Sequence, residues 1–275
     1  MFQDGQSVCF RSGGDPARVR KVQLATGKDR FRVPRVVPTN DLNATQVQVV
    51  VDEDEDRYPF IRPFPANIGE PAAWFQMGRG ITITGSGVSQ WDDVSGNGRH
   101  LKQGTDGNRP ALQADGSILF DGVDNYLKCD AFTLNQPESV YLLLKQVSWT
   151  SGDRVFDGNA SSSGMIVQTA ATPGLTLTSD NVNFVTRNDA LALNTYGVVA
   201  CVINGASSLT RIGGTITTGN AGAGNMGGFT LASLGAGNFG WSHIQVKEVV
   251  LFPANHSTAQ QSSVIQYLMG VGGVS

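Results

Sequence analysis

Residues 88–98 read Val-Ser-Gln-Trp-Asp-Asp-Val-Ser-Gly-Asn-Gly and end in a strong turn signal. Gly96-Asn97-Gly98 favours a tight turn, because glycine and asparagine adopt positive φ angles at low cost. Asp92 and Asp93 precede this turn, and their carboxylates can brace it by accepting hydrogen bonds from nearby backbone N–H groups. We expect Trp91 to fill core volume, with its indole N–H bonded to a backbone acceptor.

A second stretch, residues 119–127, reads Leu-Phe-Asp-Gly-Val-Asp-Asn-Tyr-Leu. Two turn signals stand between its apolar ends, so the stretch predicts a hairpin-like reversal. The carboxylate-rich turns leave two interpretations open. They are structural turns, or one of them binds Ca²⁺, which prefers oxygen ligands on loops. The residues that would ligate the ion are Asp92, Asp121, Asp124 and Asn125.

The chain beyond residue 72 consists of short apolar stretches separated by turn residues, a pattern typical of a two-sheet sandwich. The predicted strands are 81–84, 117–120, 140–144, 165–167, 175–177, 182–185, 197–203, 229–231 and 244–252. A single helix is predicted near the end. Ser257-Thr258-Ala259-Gln260 is a capping-box-like start, Val264, Ile265 and Leu268 share one face, and Gly270 is the expected stop.

These segments resemble concanavalin A-like, laminin G-like jelly-roll domains. The resemblance rests on residues 88–98 with Gln103 and residues 109–112, on residues 119–127, and on residues 240–252 followed by the helix that ends in Gln266-Tyr267-Leu268. It covers residues 72–275. It implies an all-β fold, a two-sheet antiparallel jelly-roll sandwich with a short C-terminal helix.

The composition changes along the chain. Residues 1–62 hold 10 of the 20 Lys and Arg and 9 of the 23 Asp and Glu, but only 4 of the 34 glycines. Four prolines lie at positions 59, 63, 65 and 71, which favours extended conformations there. We therefore expect a small β-rich attachment module in residues 1–58, a proline-rich linker in residues 59–71 and the sandwich in residues 72–275.

The N-terminal module has two oppositely charged stretches. Arg30, Arg32 and Arg35 precede an acidic run, residues 52–56, that includes Asp52 and Asp54. One interpretation assigns these residues to assembly, as complementary docking patches between subunits. The other assigns them to solvated loops that keep the surface soluble.

Aromatic side chains are the candidate ligand-binding residues of the sandwich, because a glycan-binding module displays aromatics on a concave face or rim. The candidates are Trp74, Tyr126, Trp149, Tyr196 and Trp241. The alternative is that each fills the core or an interface, as a sandwich also needs buried aromatics.

Charge and motif content narrow the function. The net charge of −3 does not favour nucleic-acid binding, and no apolar run is long enough for membrane insertion. The N-terminus shows no signal peptide pattern, so we expect synthesis in the cytoplasm. Residues 72–275 contain only two glutamates, Glu138 and Glu248, and no recognisable histidine constellation. We therefore expect no catalytic residues and no enzyme activity, and no cofactor apart from the Ca²⁺ alternative.

The glycine-rich stretch 213–240 resembles loops of bacteriophage tail, fibre and capsid-appendage proteins. This resemblance implies a virion structural protein, anchored by its N-terminal module, whose sandwich decorates the particle or attaches to a host-surface glycan. Expected partners are other virion proteins and further copies of the chain, with a trimer favoured. The alternatives are a carbohydrate-binding adhesion module without a virion role and, less favoured, a polysaccharide-degrading enzyme.

Overall fold

The computed structural model describes residues 64–65, 68–188, 191–212, 214–235 and 237–273, and the backbone of five short strands nearer the N-terminus. The chain divides into two compact units, Met1–Arg62 and Pro63–Ser275. The predicted boundaries at residues 58 and 72 stay a prediction.

The structure describes five short strands in the first unit. Its described strands are β1 (Ser7–Arg11), β2 (Val19–Gln23), β3 (Arg35–Val36), β4 (Gln46–Val47) and β5 (Val49–Val50). β1 pairs antiparallel with β2, β2 pairs parallel with β4, and β3 pairs antiparallel with β5.

The second unit contains seventeen strands among its described residues and ends in one helix. The strands are β6 (Ala73–Phe75), β7 (Ile81–Thr84), β8 (Gly87–Trp91), β9 (Leu101–Lys102), β10 (Ala111–Leu112), β11 (Ile118–Asp121), β12 (Leu127–Lys128), β13 (Glu138–Gln146), β14 (Arg154–Asp157), β15 (Met165–Gln168), β16 (Leu175–Thr178), β17 (Val185–Arg187), β18 (Tyr196–Ile203), β19 (Ser208–Ile212), β20 (Thr215–Gly219), β21 (Thr230–Leu231) and β22 (His243–Phe252). The helix is α1 (Thr258–Gly272).

The strands form two antiparallel sheets. The eight-stranded sheet has the order β10-β11-β22-β13-β18-β19-β20, and β6 also pairs with β22. The nine-stranded sheet has the order β17-β16-β15-β14-β21-β12-β9-β8-β7. β22 is the last strand in the chain, yet it lies in the interior of its sheet between β11 and β13.

The core lies between the two sheets because side chains alternate in direction along each strand. Val140, Leu142 and Leu144 of β13 point into it and are fully buried. Trp91 is also fully buried, and its Nε1 donates to the backbone carbonyl of Gln76 at 2.9 Å. The prediction for Trp91 is therefore confirmed.

The outer face of the eight-stranded sheet is covered by α1 and by Phe64 and Ile68. Ser257 begins the helix with a capping box, in which its hydroxyl and the Gln260 side chain each bond the other's backbone N–H. The ring of Phe64 lies 5.2 Å from that of Tyr267 and 5.7 Å from that of Phe252. The helix therefore packs on the sheet through a second apolar cluster, separate from the core between the sheets.

The predicted fold class is confirmed, since the second unit is a two-sheet antiparallel sandwich with a short closing helix. The helix continues past Gly270 to Gly272, where Gly273 ends it in the left-handed conformation. Across the described part of the chain, no helix combines the length and the apolar character needed to cross a membrane.

Candidate functional site

Three loops meet at one end of the sandwich, around the first residue of β22. The backbone carbonyl of His243 accepts from Val147 N at 2.9 Å, and its Nδ1 lies 2.9 Å from Ser148 Oγ. On its other side, a Cβ at Gly122 would come within 2.9 Å of the His243 side chain. We call this region the loop end and define it as residues 122–126, 147–153, 232–235 and 237–242.

The loop end gathers three of the five aromatic residues predicted to bind ligand, and each is partly exposed. They are Tyr126, Trp149 and Trp241. Tyr126 packs on the backbone of Gly237, where an added Cβ would lie 2.5 Å from the ring. Position 237 therefore requires glycine, both for this contact and for its φ of 70°.

Phe239 adds an exposed aromatic ring to the same region. It is 58% exposed, and the guanidinium of Arg154 lies 5.1 Å from its ring centroid. The backbone N–H of Arg154 donates to Gly240 O at 2.7 Å, which fixes the loop against β14. An exposed phenylalanine on loops that also carry partly exposed indoles is the kind of apolar surface that marks binding sites.

Four buried N–H donors around the loop end have no acceptor among the described residues. They are the indole Nε1 of Trp149, Nε of Arg154, the amide Nε2 of Gln168 and the indole Nε1 of Trp241. Gln168 belongs to this region because its Oε1 accepts from Thr150 N and its backbone carbonyl accepts from Gly152 N. Buried polar groups are normally satisfied, but these four donors do not single out the loop end, because Glu138 Oε2 and Thr210 Oγ1 elsewhere in the sandwich also lack a partner among the described residues.

Two carboxyl groups frame this region. Burial raises the pKa of Asp153 to about 6. A hydrogen bond from Thr150 and the positive charge of Arg154 lower this pKa, but burial has the larger effect. Asp157 is fully buried, and its carboxylate accepts four backbone N–H groups, from Gly158, Ser162, Ser163 and Gly235. Asp157 thereby ties the β21–β22 loop to the nine-stranded sheet, which holds the loop end in place.

The other two predicted aromatics lie elsewhere. Trp74 packs under α1, with its Nε1 donating to Glu248 Oε1 at 2.7 Å. Tyr196 lies on the outer face of the eight-stranded sheet, where its hydroxyl donates to Asp115 Oδ2 at 3.1 Å and Lys247 Nζ stands 4.2 Å from its ring. Burial raises the pKa of Tyr196 to about 12.

The four predicted metal ligands occupy two separate turns. Asp121, Asp124 and Asn125 brace their own loop: Asp121 Oδ1 accepts from Val123 N at 2.9 Å, and Asn125 Oδ1 accepts from Asp121 N at 3.3 Å. Asp92 instead pairs with His100 Nδ1 at 3.2 Å. Within the described ranges, no three His, Cys, Asp or Glu residues are grouped so that they could hold a metal ion.

The predicted assembly residues belong to the first unit. Arg30, Arg32, Asp52 and Asp54 lie outside the described residues, and Arg35 is described only as the backbone start of β3. Their role stays a prediction.

Sequence reasoning missed Asp153, Arg154, Gln168 and Phe239. The sequence did contain one signal for Phe239, which stands as a single bulky residue in the glycine-rich run Gly237-Asn238-Phe239-Gly240. Nothing local marks Gln168, because its place depends on how the chain folds around β14 and β15.

The comparisons place the fold among known structures. No protein-family model matches the sequence, and no curated protein matches it. An arabinofuranosidase complexed with arabinofuranosyl-α-1,2-xylobiose matches with a TM-score of 0.52 and 13% identity, over 73% of this chain and 59% of that one. The receptor-binding domain of botulinum neurotoxin type G matches with a TM-score of 0.52 and 10% identity, over 74% and 52%.

A Trypanosoma rangeli sialidase in complex with sialic acid matches with a TM-score of 0.50 and 12% identity, over 75% of this chain. The chain spans about a third of the sialidase, since 34% of that protein is covered. At such identities the likeness shows the fold alone, and it does not link the chain to a bacteriophage.

The expectation that the chain is not an enzyme is wrong. Solved structures with this fold include a sialidase and an arabinofuranosidase, both glycosidases. The expectation rested on the absence of a local carboxylate motif. Such an argument fails because catalytic groups are brought together by the fold from distant positions in the sequence.

Proposed function

We propose that this chain binds a saccharide at the loop end. The observation that carries the proposal is that the loops tied together around His243 and Arg154 hold three partly exposed aromatics, Tyr126, Trp149 and Trp241, and the exposed ring of Phe239. Aromatic faces pack against the apolar C–H faces of sugar rings, and a few placed polar groups then fix orientation.

The polar groups of the loop end support the same ligand class. The unpartnered donors of Arg154, Gln168 and the two indoles are buried, so sugar hydroxyl oxygens would serve as their acceptors only where binding moves the loops and exposes them. The carboxyl of Asp153 would accept from sugar hydroxyl groups when it is ionised. Donors and acceptors side by side suit a hydroxyl-rich ligand better than an apolar one.

The test compares two exposed phenylalanines. The full chain is applied to an array of neutral and acidic oligosaccharides, and the strongest ligand is titrated by calorimetry. Phe239→Ala should weaken binding at least tenfold, whereas Phe184→Ala, which removes a 50% exposed ring away from the loop end, should leave it unchanged. No binding on the array, or equal losses in the two variants, would overturn the proposal.

A second candidate function is glycoside hydrolysis at the same site, and it is favoured by Asp153. A carboxyl with a pKa of about 6 is suited to act as a general acid near neutral pH. Incubation of the bound oligosaccharide with the full chain should then release shorter products. Asp153→Asn should abolish that release while retaining binding, and a lack of products with wild-type protein would reject hydrolysis.

We further propose that the protein is a structural component of a bacteriophage virion, made in the host cytoplasm. Residues 1–58 would attach it to the particle, and the sandwich would present the loop end to the host surface. The contrast between the charge-rich first 62 residues and the glycine-rich remainder supports separate roles for the two units. Antibody labelling of purified particles should place the protein on their surface, and absence from particles would reject this role.

Assembly as a homo-oligomer, with a trimer favoured, is part of the same proposal. Light scattering on the full chain should give a mass three times that of the 275-residue chain. If Arg30, Arg32 and Arg35 dock onto the acidic run of another subunit, which contains Asp52 and Asp54, reversing their charge should reduce the measured mass.

A further inference from the structure

A shallow groove lies on the outer face of the nine-stranded sheet, near its β7 edge. Trp91 and Leu101 point into the core, so their neighbours Gln90 and Lys102 point outward. Gln90 stands opposite Lys102 in the sheet. The groove has a volume of about 360 Å³ and is lined by Thr82, Ser89, Gln90, Lys102, Gln103, Gly104 and Arg109.

One wall of the groove is rigid. Arg109 donates from Nε to Gln103 O and from its terminal nitrogens to Thr84 O and Gly104 O, so its guanidinium is held by backbone carbonyls. Gln103 is fixed as well, because its Oε1 accepts from Thr105 N and its Nε2 donates to Tyr126 O. A preformed wall lowers the entropy lost when a ligand binds.

The opposite side of the groove presents polar atoms that remain available. Gln90 uses its Nε2 to donate to Asp92, while its Oε1 and the Thr82 hydroxyl form no hydrogen bond to any described residue. The Gln90 Oε1 can accept a hydrogen bond from a ligand in the groove, and the Thr82 hydroxyl can both donate and accept one.

The charges in the groove are balanced. Lys102 pairs with Asp130 at 3.0 Å, and Arg109 pairs with Asp106 at 2.5 Å. Two neutralised cations give no net attraction for a phosphate or nucleic acid, and a lining of hydroxyls, amides and charges does not suit a lipid or an apolar peptide. The chemistry that remains is a neutral, hydroxyl-rich ligand.

Tyr126 connects the groove wall to the loop end by hydrogen bonds and by packing. That residue donates its backbone N–H to Asn108 O at 3.4 Å, its carbonyl accepts from Gln103 of the groove wall, and its ring rests on Gly237. Three strand steps separate β12 from β7, a distance of about 15 Å. A ligand that extends from the loop end past Tyr126 would therefore enter the groove.

We propose that the groove is a second saccharide subsite, which takes neutral sugar residues of a chain whose end is held at the loop end. This inference rests on the proposed function. It implies that the protein prefers oligosaccharides to mono- and disaccharides, and that Thr82 and Gln90 determine this length preference.

The test is calorimetry on the full chain with malto-, cello- and chito-oligosaccharides of two and six residues. In the series that binds, the hexasaccharide should bind at least tenfold more tightly than the disaccharide. The double variant Thr82→Val, Gln90→Ala should lower hexasaccharide affinity to the disaccharide level and leave the disaccharide unaffected. Thr218→Val, on the exposed strand β20, is the matched control and should change neither affinity.

The outcomes separate the two proposals. Equal affinities for the disaccharide and the hexasaccharide, or a double variant that keeps the full length preference, would overturn the groove and leave the loop end intact. Two results together would support both sites. Phe239→Ala should weaken the binding of both the disaccharide and the hexasaccharide, and the double variant at Thr82 and Gln90 should remove the preference for the hexasaccharide. Failure of all three series to bind wild-type protein would overturn the groove alone if the array yields another ligand, and both proposals if the array yields none.

Discussion

Glu138 is an acidic residue in an apolar interior. It is fully buried on β13, its Oε1 accepts from Met226 N at 3.3 Å, and its Oε2 has no partner among the described residues. Burial raises the pKa of its carboxyl to about 8, because an ionised carboxylate there would lose its hydration without an opposite charge nearby.

This shift makes stability depend on pH. In the unfolded chain the carboxyl ionises near its usual pKa of 4.5, whereas in the folded protein it stays protonated up to about pH 8. Between these values the unfolded state binds fewer protons, so unfolding becomes easier as the pH rises, by up to about 1.4 kcal/mol per pH unit. Glu138→Gln should lose the part of this dependence that Glu138 contributes and keep the part due to Glu248, whose pKa is also raised by burial, as measured by urea unfolding at several pH values.

The control for this prediction is Glu70→Gln, which changes an exposed glutamate. Its free energy of unfolding should change with pH in the same way as that of wild type. A constant stability difference between Glu138→Gln and wild type from pH 5 to pH 8 would show that Glu138 is not protonated in the folded state.

Asp93 braces the turn that follows β8. Its carboxylate accepts backbone N–H groups from Trp74, Ser95 and Arg99, at 2.9, 2.9 and 3.0 Å. Asp93→Ala would leave these donors without their acceptor, and we expect a loss of about 3 kcal/mol in the free energy of unfolding. Asp92→Ala, at the neighbouring and more exposed position, should cost less than about 1 kcal/mol. Similar losses in the two variants would contradict this assignment.

At the residue scale, prediction worked where the signal was local. The turn at residues 96–98 and the bracing role of Asp93 could be predicted, because turn residues and nearby carboxylates act within a few positions. The burial of Glu138 could not be predicted, because it depends on the loop that contains Met226, and nothing in the sequence next to Glu138 indicates that this loop covers it.

At the scale of elements, Phe64 and Ile68 complete the packing of α1. Phe64 stands 4.9 Å from the ring of Trp74 as well as near Tyr267, so it fills the space between helix and sheet. Phe64→Ala should lower the free energy of unfolding by about 2 kcal/mol, as measured by urea denaturation. Phe184→Ala, which removes a half-exposed ring, should change it by less than about 0.5 kcal/mol. Equal effects would show that Phe64 does not pack as described.

Elements with strong local signals were predicted well. The capping box at Ser257 and the apolar face of α1 predicted the helix, and continuous apolar runs predicted β18 and β22. The β19–β20 hairpin was missed because its second strand lies in the glycine-rich stretch that resembles loops. Its strands are held by pairing with each other and with β18, which is a tertiary effect.

At the scale of the whole molecule, the loop end depends on strand order. Tyr126, Trp149 and Trp241 are far apart in sequence and meet because β11, β13 and β22 are neighbours in one sheet. Listing these aromatics as candidates was feasible from the sequence. Separating them from Trp74 and Tyr196 was not, because that requires the topology.

The division of the chain yields a prediction for the whole sandwich. A chain of residues 63–275 should unfold at the same temperature as the sandwich within the full chain, because Phe64 and Ile68 are retained. A chain of residues 72–275 should unfold several degrees lower, because both apolar contacts with the second cluster are lost. Calorimetric scans of the three proteins test this, and identical melting of the two shortened chains would refute it.

The interior position of β22 has a consequence for how the protein is made. β6 and β11 join the eight-stranded sheet only through residues 243–252, whereas β13, β18, β19 and β20 pair with one another without them. The complete sheet therefore cannot form until this last strand has left the ribosome. Pairings that span so much of the chain also make folding slow. The nascent sandwich should therefore remain open to proteases and dependent on chaperones until translation has passed Phe252.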